Sequence, residues 1–455
     1  MSDAPVLRFA PSPTGPLHVG SAIVAVANRA FARATGGRMI LRIDDTDTER
    51  SSEQWRDGII TGLDWLGVGW DGEPVSQSQR TSIYEQRLAV LQEAGATYPC
   101  FCSMERLDAV RAQQVQAHQA PRYDGTCRDI SAAVSGARVA AGEAHVIRLR
   151  IPEADHGFTD VVHGRVDAPA GSFGDFILRR SDAGFMYLFC SVVDDVELGV
   201  THVLRGEDHL PNTPRQRAIL HALGEAGPQF AHLPLVRGPN GTKLSKRDPL
   251  GTLDMFMEAG YLPETVRRYA GELLGQGDAD PLGIDAPDFN IESIPVGAPR
   301  LDPARLASLG QEDLARLTPD AVAAALGEQG ISTEPHQLEL LGELAGQSST
   351  MGEIRAALAE LQIPPDVSAL DTSTLPMGAI SAARTAARDD AADWPSAVTK
   401  AVREWVSGQE EFRLGASMKG LRAALTGQTS GPRLDAIIAA LGRDEVVRRL
   451  DAILE

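Results

Sequence analysis

The chain is poor in cysteine, aromatic residues and positive charge, and it has no long apolar run. Four cysteines in 455 residues exclude a disulfide framework and make a reducing cytosol the expected compartment. No stretch approaches the ~18 consecutive apolar residues of a membrane helix. The start, Met1-Ser2-Asp3-Ala4-Pro5, has neither a basic nor an apolar segment, so no secretory signal is expected. Lys and Arg number 43 against 62 Asp and Glu, a net charge of −19. Bulk charge of that sign argues against a non-specific nucleic-acid binder, though not against RNA binding by locally gathered cations. What is present is ordinary: 43% hydrophobic and 23% charged residues exclude disorder over most of the chain.

The length suggests about three domains. Val6–Phe9 reads as a strand, Ala10–Pro16 as a rigid turn, Val19–Ala34 as a helix stopped by Gly36-Gly37, and Met39–Ile43 as a second strand. Such a βαβ unit predicts a parallel sheet. Residues 77–190 interrupt it with helical stretches at Thr81–Ala94 and Met104–Gln119, a Cys-rich patch and strand-like His145–Ile151. The α/β pattern resumes with a strand at Thr201–Leu204, a helix at Thr213–Leu223 and a strand at Ala231–Val236. Residues 251–310 read as helical and transitional, and beyond 311 helix follows helix.

Two motifs carry chemistry. His18-Val19-Gly20-Ser21 sits where the first strand turns into the first helix. There, unpaired N–H groups and the positive dipole end suit a polyphosphate, and glycine admits close approach. Lys243-Leu244-Ser245-Lys246-Arg247 places two ammonium groups three residues apart, able to neutralise charge developing on a phosphate. Either motif alone is common; the pair, in this order within a split α/β domain, is not.

Arg8-Phe9-Ala10-Pro11-Ser12-Pro13-Thr14-Gly15-Pro16-Leu17-His18-Val19-Gly20 resembles the N-terminal signature of class I glutamyl-tRNA synthetases, and Lys243–Arg247 resembles the second class I signature. Leu41–Asp47, Val192–Asp195, Leu204–Asp208 and Lys419–Gly427 are similar to further blocks of that family in the same order. The resemblance implies an α/β class I Rossmann-like parallel sheet split by an insertion and followed by an all-α anticodon-binding region. The expected divisions are 1–76 and 191–250 for the catalytic halves, 77–190 for an insertion at the tRNA acceptor end, 251–310 for a connecting domain and 311–455 for the anticodon region.

It also implies glutamate–tRNA ligation with Mg2+ and ATP. Glutamyl-adenylate forms once tRNA is bound, and the glutamyl group then passes to the tRNA 3′ end. The tRNA is tRNA(Glu), with a non-discriminating or tRNA(Gln)-specific paralogue as the alternative; a monomer is expected. His18, Lys243 and Lys246 would be catalytic. ATP would meet Ser12, Thr14, His18, Gly20, Ser21, Asp208, Lys243, Ser245 and Lys246, with Glu207 or Asp208 near the nucleotide. Glutamate would meet Arg8, Ala10, Asp44, Tyr187, Ser191 and Arg205, the arginines clamping carboxylates and Asp44 facing the ammonium. Four positions depart from the family: Asp44 replaces a common Glu, Ser191 a frequent Asn, and Asp248-Pro249 a common His-Gly.

Cys100-Phe101-Cys102 is followed after 24 residues by Cys127, a set that suits structural tetrahedral Zn2+. Related enzymes add a His or Tyr, and here Tyr123 or Asp129 is the fourth candidate. Cys190 lies in an apolar run and reads as core. Between Phe412 and Leu434, Arg413, Lys419, Arg422 and Arg433 occur with no acidic residue, a candidate RNA-facing stretch, with Arg413, Lys419 and Arg422 as anticodon candidates. Two other readings differ in kind. A tRNA-modifying glutamyltransferase lacks so long a tail as the 145 residues after 310. A non-catalytic tRNA- or amino-acid-binding paralogue would favour loss of His18 or Lys246.

Overall fold

The computed structural model describes residues 4–47, 49–245, 247–248, 250–284, 286, 288–370 and 376–455. The chain opens with β1 (Val6–Phe9), α1 (Val19–Ala34) and β2 (Arg38–Ile43). β1 and β2 pair in parallel, from Val6 opposite Arg38 to Phe9 opposite Leu41. Apart from the half-buried Val6, their apolar residues are buried, as strands covered on both faces require; Arg8 and Arg42 are buried charged exceptions. α1 buries Ala22, Ala25, Ala27 and Ala30, residues small enough to let a helix lie close on a sheet. Gly36 follows with φ +64°, the left-handed conformation glycine tolerates best after a helix.

The chain continues through α2 (Glu53–Trp65), β3 (Val75–Ser76), α3 (Thr81–Glu93), β4 (Thr97–Cys100), α4 (Met104–Gln116), α5 (Ala132–Ala140) and β5 (Val146–Leu149). Next come β6 (Phe158–Asp160), β7 (Gly164–Val166), β8 (Ile177–Arg179), α6 (Tyr187–Glu197), β9 (His202–Gly206), α7 (Thr213–Leu223) and β10 (Gln229–Leu233). Among the described residues three sheets result, in the orders β1-β2-β3, β7-β6-β10-β9 and β4-β5-β8. The first two meet edge to edge: Thr201 N–H donates to Val6 O at 2.9 Å, and Val6 N–H donates to Thr201 Oγ1 at 2.8 Å. Above this seam Asn28 of α1 donates to Leu204 O of β9 at 3.1 Å.

The interruption is therefore of two kinds. β4, β5 and β8 form an antiparallel sheet. β6, inside the expected insertion of 77–190, instead pairs with β10 and so extends the second sheet. The expected boundaries at 190 and 310 fall inside helices rather than between elements. α8 (Leu253–Ala259) and α9 (Pro263–Leu273) follow. By compactness the chain divides into Met1–Met255 with Val266–Leu301, and Phe256–Thr265 with Asp302–Glu455.

The second unit is helical: α10 (Pro303–Leu314), α11 (Pro319–Glu328), α12 (Leu338–Gln347), α13 (Met351–Gln362), α14 (Met377–Arg388), α15 (Trp394–Ser407), α16 (Leu414–Thr426), α17 (Leu434–Leu441) and α18 (Arg443–Leu454). Asp302 and Thr318 cap α10 and α11, each followed by proline, the usual way to satisfy first-turn N–H groups. α17 joins two cores: Ala436, Ile437 and Ala440 pack with α11–α13, while Leu434 and Ile438 pack with α14–α16 and α18.

One buried carboxylate ties the start of the interruption to α6. Asp194 of α6, fully buried, accepts from Gln77 Nε2 at 2.7 Å, Arg80 Nε at 2.6 Å and the Tyr84 hydroxyl at 2.8 Å. Tyr84→Phe removes one hydrogen bond to a buried charge and is expected to lower the unfolding free energy by about 1.5–3 kcal/mol. Urea denaturation checks this.

Candidate active site

β1 and β9 begin together at the Val6–Thr201 seam, so their C-terminal ends emerge side by side. Here the strand order turns back, with β2 and β3 to one side and β10 to the other. A crevice outside the carboxyl ends of strands at such a switch point is where open α/β sheets bind ligands. A cavity of about 580 Å3 lies here, lined by Arg8, Ala10, His18, Gly20, Ser21, Tyr187, Arg205, Asp208, Lys243 and Ser245 among others. Ten of the expected site residues are thus brought to one place.

His18 caps α1 and also clasps the second motif. Gly20 N–H donates to its Nδ1 at 3.0 Å, which leaves the proton on Nε2, directed at Leu244 O 3.3 Å away. The tie is reinforced by Val19 N–H donating to Gly251 O and Leu253 N–H to Leu17 O. A Cβ at Gly20 would sit 3.2 Å from His18 Nδ1, tight enough to displace the ring. Lys243 is exposed at the rim. In the same loop Asp248 Oδ2 accepts from Ser245 N–H at 2.6 Å. Lys246 lies outside the described residues.

Beneath the cavity runs a buried ion network. Arg42, fully buried, donates from Nε to Asp44 Oδ1 at 2.7 Å and from Nη1 to Asp195 Oδ1 at 2.6 Å. Arg8 Nε donates to the same Asp195 oxygen at 3.2 Å. Burial opposes the Arg42 charge, but Asp44 and Asp195 raise its pKa well above the ordinary value. Burial would likewise raise Asp195, yet Arg8 and Arg42 hold it below the usual carboxylate range. For Asp44 burial prevails over Arg42 and the pKa rises.

Arg205 is held differently. Its Nε donates to His232 Nε2 at 3.1 Å, and its Nη2 donates to Thr213 Oγ1 at 2.7 Å and Gln216 Oε1 at 2.6 Å. Its Nη1 is buried with no hydrogen-bond partner among the described residues. Burial, with Arg8 adding to it, lowers the Arg205 pKa to about 10. A guanidinium in this state gains from an incoming anion. Tyr187, the first residue of α6, lies nearby with its hydroxyl 3.4 Å from His209 Nδ1, and burial raises its pKa.

Four expected site residues are absent from the cavity lining. Asp44 and Ser191 lie under the floor, Asp44 paired with Arg42, and Ser191 Oγ accepting from Arg42 Nη2 at 3.4 Å and Gln216 Nε2 at 3.3 Å. Asp44 is thus paired with Arg42 and lies outside the lining. Ser12 and Thr14 are exposed on the loop after β1. The sequence reading passed over His209, Leu235, Val236 and Leu244 of the lining, and Arg42, Gln216 and His232 behind it. The apolar run that starts at the last residue of β10, Leu233–Val236, was the available signal for two of them.

In the interrupting portion the Sγ atoms of Cys100, Cys102 and Cys127 lie within 4.8 Å of one another. The Tyr123 hydroxyl is 3.3 Å from Cys100 Sγ and 3.6 Å from Cys102 Sγ, and it accepts from Cys127 N–H at 2.8 Å. Asp129 is exposed and does not join the cluster. Cys190 is buried in a core of α3, α6 and α7.

Residues 6–279 match the family of tRNA synthetases class I (E and Q), catalytic domain, and residues 373–454 match an anticodon binding domain. The chain is 38% identical to glutamate–tRNA ligase 1 of Gluconobacter oxydans over 98% of each chain. It is 35% identical to glutamate–tRNA ligase 1 of Acidithiobacillus ferrooxidans over 97% of each. The chain belongs to the class I glutamyl/glutaminyl tRNA synthetase family. Its fold is that of a glutamate tRNA ligase from Elizabethkingia meningosepticum solved with its amino acid, at a TM-score of 0.86 and 24% identity over 99% of each chain.

The anticodon domain of this synthetase holds less free positive charge than its sequence suggested. Arg422 donates to Pro432 O at 2.5 Å and is half-buried, and Arg433 is paired with Glu339 and Glu343. Arg413 and Lys419 are exposed. No helix among the described residues is long and apolar enough to cross a membrane.

The synthetase floor rests on Arg42. Arg42→Met leaves Asp44 without its main cation and Asp195 with Arg8 alone. Removing one member of a buried ion network costs about 3–5 kcal/mol, and a matching loss in urea-measured stability is expected.

Proposed function

We propose that the chain is a glutamate–tRNA ligase, activating L-glutamate with Mg-ATP to glutamyl-adenylate and passing the glutamyl group to the 3′ end of tRNA(Glu). The observation that carries this reading is Arg205, buried, charged and with one nitrogen unpartnered, beside Arg8 in a cavity that reaches the N-terminus of α1. Two guanidinium groups suit an amino acid with two carboxylates. The helix terminus and Lys243 suit the triphosphate.

In the proposed reaction the glutamate carboxylate attacks the α-phosphorus in line and pyrophosphate leaves. No covalent nucleophile is needed: the chain positions the two reactants and stabilises charge on the departing oxygens. Arg8 and Arg205 orient glutamate, Gly20 admits the phosphates close to the backbone, and His18 keeps the Lys243 segment against the α1 terminus. Glutamate charging of purified tRNA(Glu) and tRNA(Gln) tests the reading: charging of tRNA(Glu) is expected, and charging of neither overturns it. Arg205→Gln is expected to lower kcat/KM for glutamate roughly a hundredfold, the scale of a lost charged contact, while KM for ATP stays within about twofold. Steady-state aminoacylation kinetics read both.

We further infer a structural zinc held by Cys100, Cys102, Cys127 and the Tyr123 oxygen. Zn–S bonds of about 2.3 Å place tetrahedral sulfurs about 3.8 Å apart; Cys102 Sγ and Cys127 Sγ stand 3.6 Å apart. Elemental analysis is expected to find about one zinc per chain, falling sharply in Cys127→Ser; a metal-free wild type excludes the site.

A further inference from the structure

The unpartnered nitrogen of Arg205 is available only because the rest of the guanidinium is fixed from behind, and what fixes it is a polar assembly outside the cavity. His232 of β10 and Asp160 of β6 are both fully buried and absent from the lining. An arginine Nε always carries its hydrogen, so Arg205 Nε, 3.1 Å from His232 Nε2, makes that ring nitrogen an acceptor. The Thr213 hydroxyl, also 3.1 Å from Nε2, takes Arg205 Nη2–H on its lone pair and is free to donate to the ring. The histidine proton is therefore on Nδ1, where it meets Asp160 Oδ2 at 2.6 Å. The Asp160 carboxylate is itself immobilised, since Oδ1 accepts from the backbone N–H groups of Val162 and His163 at 3.0 Å each and of His232 at 3.3 Å.

We propose that Asp160 and His232 are positioning residues for the amino-acid carboxylate: Asp160 selects the His232 tautomer that accepts from Arg205 Nε, and so directs Arg205 Nη1 to the ligand. This rests on the reading of the cavity as the site of glutamate activation and adds the device that aims its main anchor.

The chemistry makes the idea separable from a scaffolding role. In Asp160→Asn the three backbone N–H groups can donate only to the amide oxygen, which therefore keeps the Oδ1 position, so the amide NH2 takes the place of Oδ2. It then donates to His232 Nδ1, the ring proton moves to Nε2, and Nε2–H confronts Arg205 Nε–H. The substitution is nearly isosteric, and its damage is a donor facing a donor. His232→Leu deletes the acceptor altogether, whereas His232→Gln retains one through its side-chain oxygen.

Aminoacylation kinetics of the full chain with L-glutamate, ATP and tRNA(Glu), alongside thermal melting, test the proposal. KM for glutamate is expected to rise about tenfold or more in Asp160→Asn and His232→Leu, with KM for ATP within about twofold. His232→Gln is expected to recover most of the loss seen in His232→Leu. A folded Asp160→Asn enzyme with unaltered KM for glutamate overturns the proposal, as does a parallel rise in both KM values. A wild type that charges no tRNA with glutamate removes the underlying reading of the site, a failure distinct from a charging wild type matched by Asp160→Asn.

Discussion

The fully buried guanidinium of Arg42 is the constraint on which the site depends. A charge removed from water this completely survives only if its hydrogen bonds and its countercharge are supplied nearby. Arg42 gets both from Asp44, two residues along its own strand end, and Asp195 on α6. Because Asp195 also accepts from Arg8 on β1, one carboxylate fixes two strands against one helix. The cavity floor is therefore a set of interdependent ion pairs, whose geometry is set before any ligand arrives.

The location of the cavity follows from the sheet. Thr201 stitches β9 to β1 at their first residues, so the loops after both strands open at one end. His18 then joins two motifs more than two hundred residues apart in the chain, its Nδ1 turned to its own helix and its Nε2 to Leu244. A histidine at this position is consequently an internal fastener between the two motifs. Gly20 is kept small by that same ring.

Much of this was legible in the sequence, and the remainder was hidden for definite reasons. β1, α1 and β2 were readable because apolar runs, small helix residues and a glycine stop agree with one another. The two motifs were readable because backbone N–H groups and lysines act locally. β6 and β7 were missed as members of the second sheet because three-residue strands show no period. Arg42 gave no sign of its burial, since its partner Asp195 is 153 residues away. Asp44 was assigned to the ligand through the family resemblance, and the partner the structure gives it, Arg42, lies two positions back, where a strand normally puts a residue on the same face. In the helical unit, the basic stretch before Leu434 looked free because Glu339 and Glu343, which neutralise Arg433, lie about ninety residues earlier.

Arg42 and Arg205 show how one residue type serves two ends. Both are buried arginines beneath or beside the same cavity. Arg42 is ringed by carboxylates, which raise its pKa and consume its charge. Arg205 is held by a neutral imidazole, a hydroxyl and an amide oxygen, which fix its plane without cancelling its charge, and burial brings its pKa down to about 10. A carboxylate in direct contact behind Arg205 would fix it equally well but compete with a ligand carboxylate for the same charge. Placing Asp160 one residue further back, with His232 between, keeps the orienting force of an anion while leaving the guanidinium electrostatically unspent. Beside the floor pairs of Arg8 and Arg42 with Asp44 and Asp195, Arg205 adds a third guanidinium whose direct hydrogen-bond partners carry no negative charge. In a chain of net charge −19, that uncancelled guanidinium sits where a carboxylate of the proposed amino-acid substrate would bind.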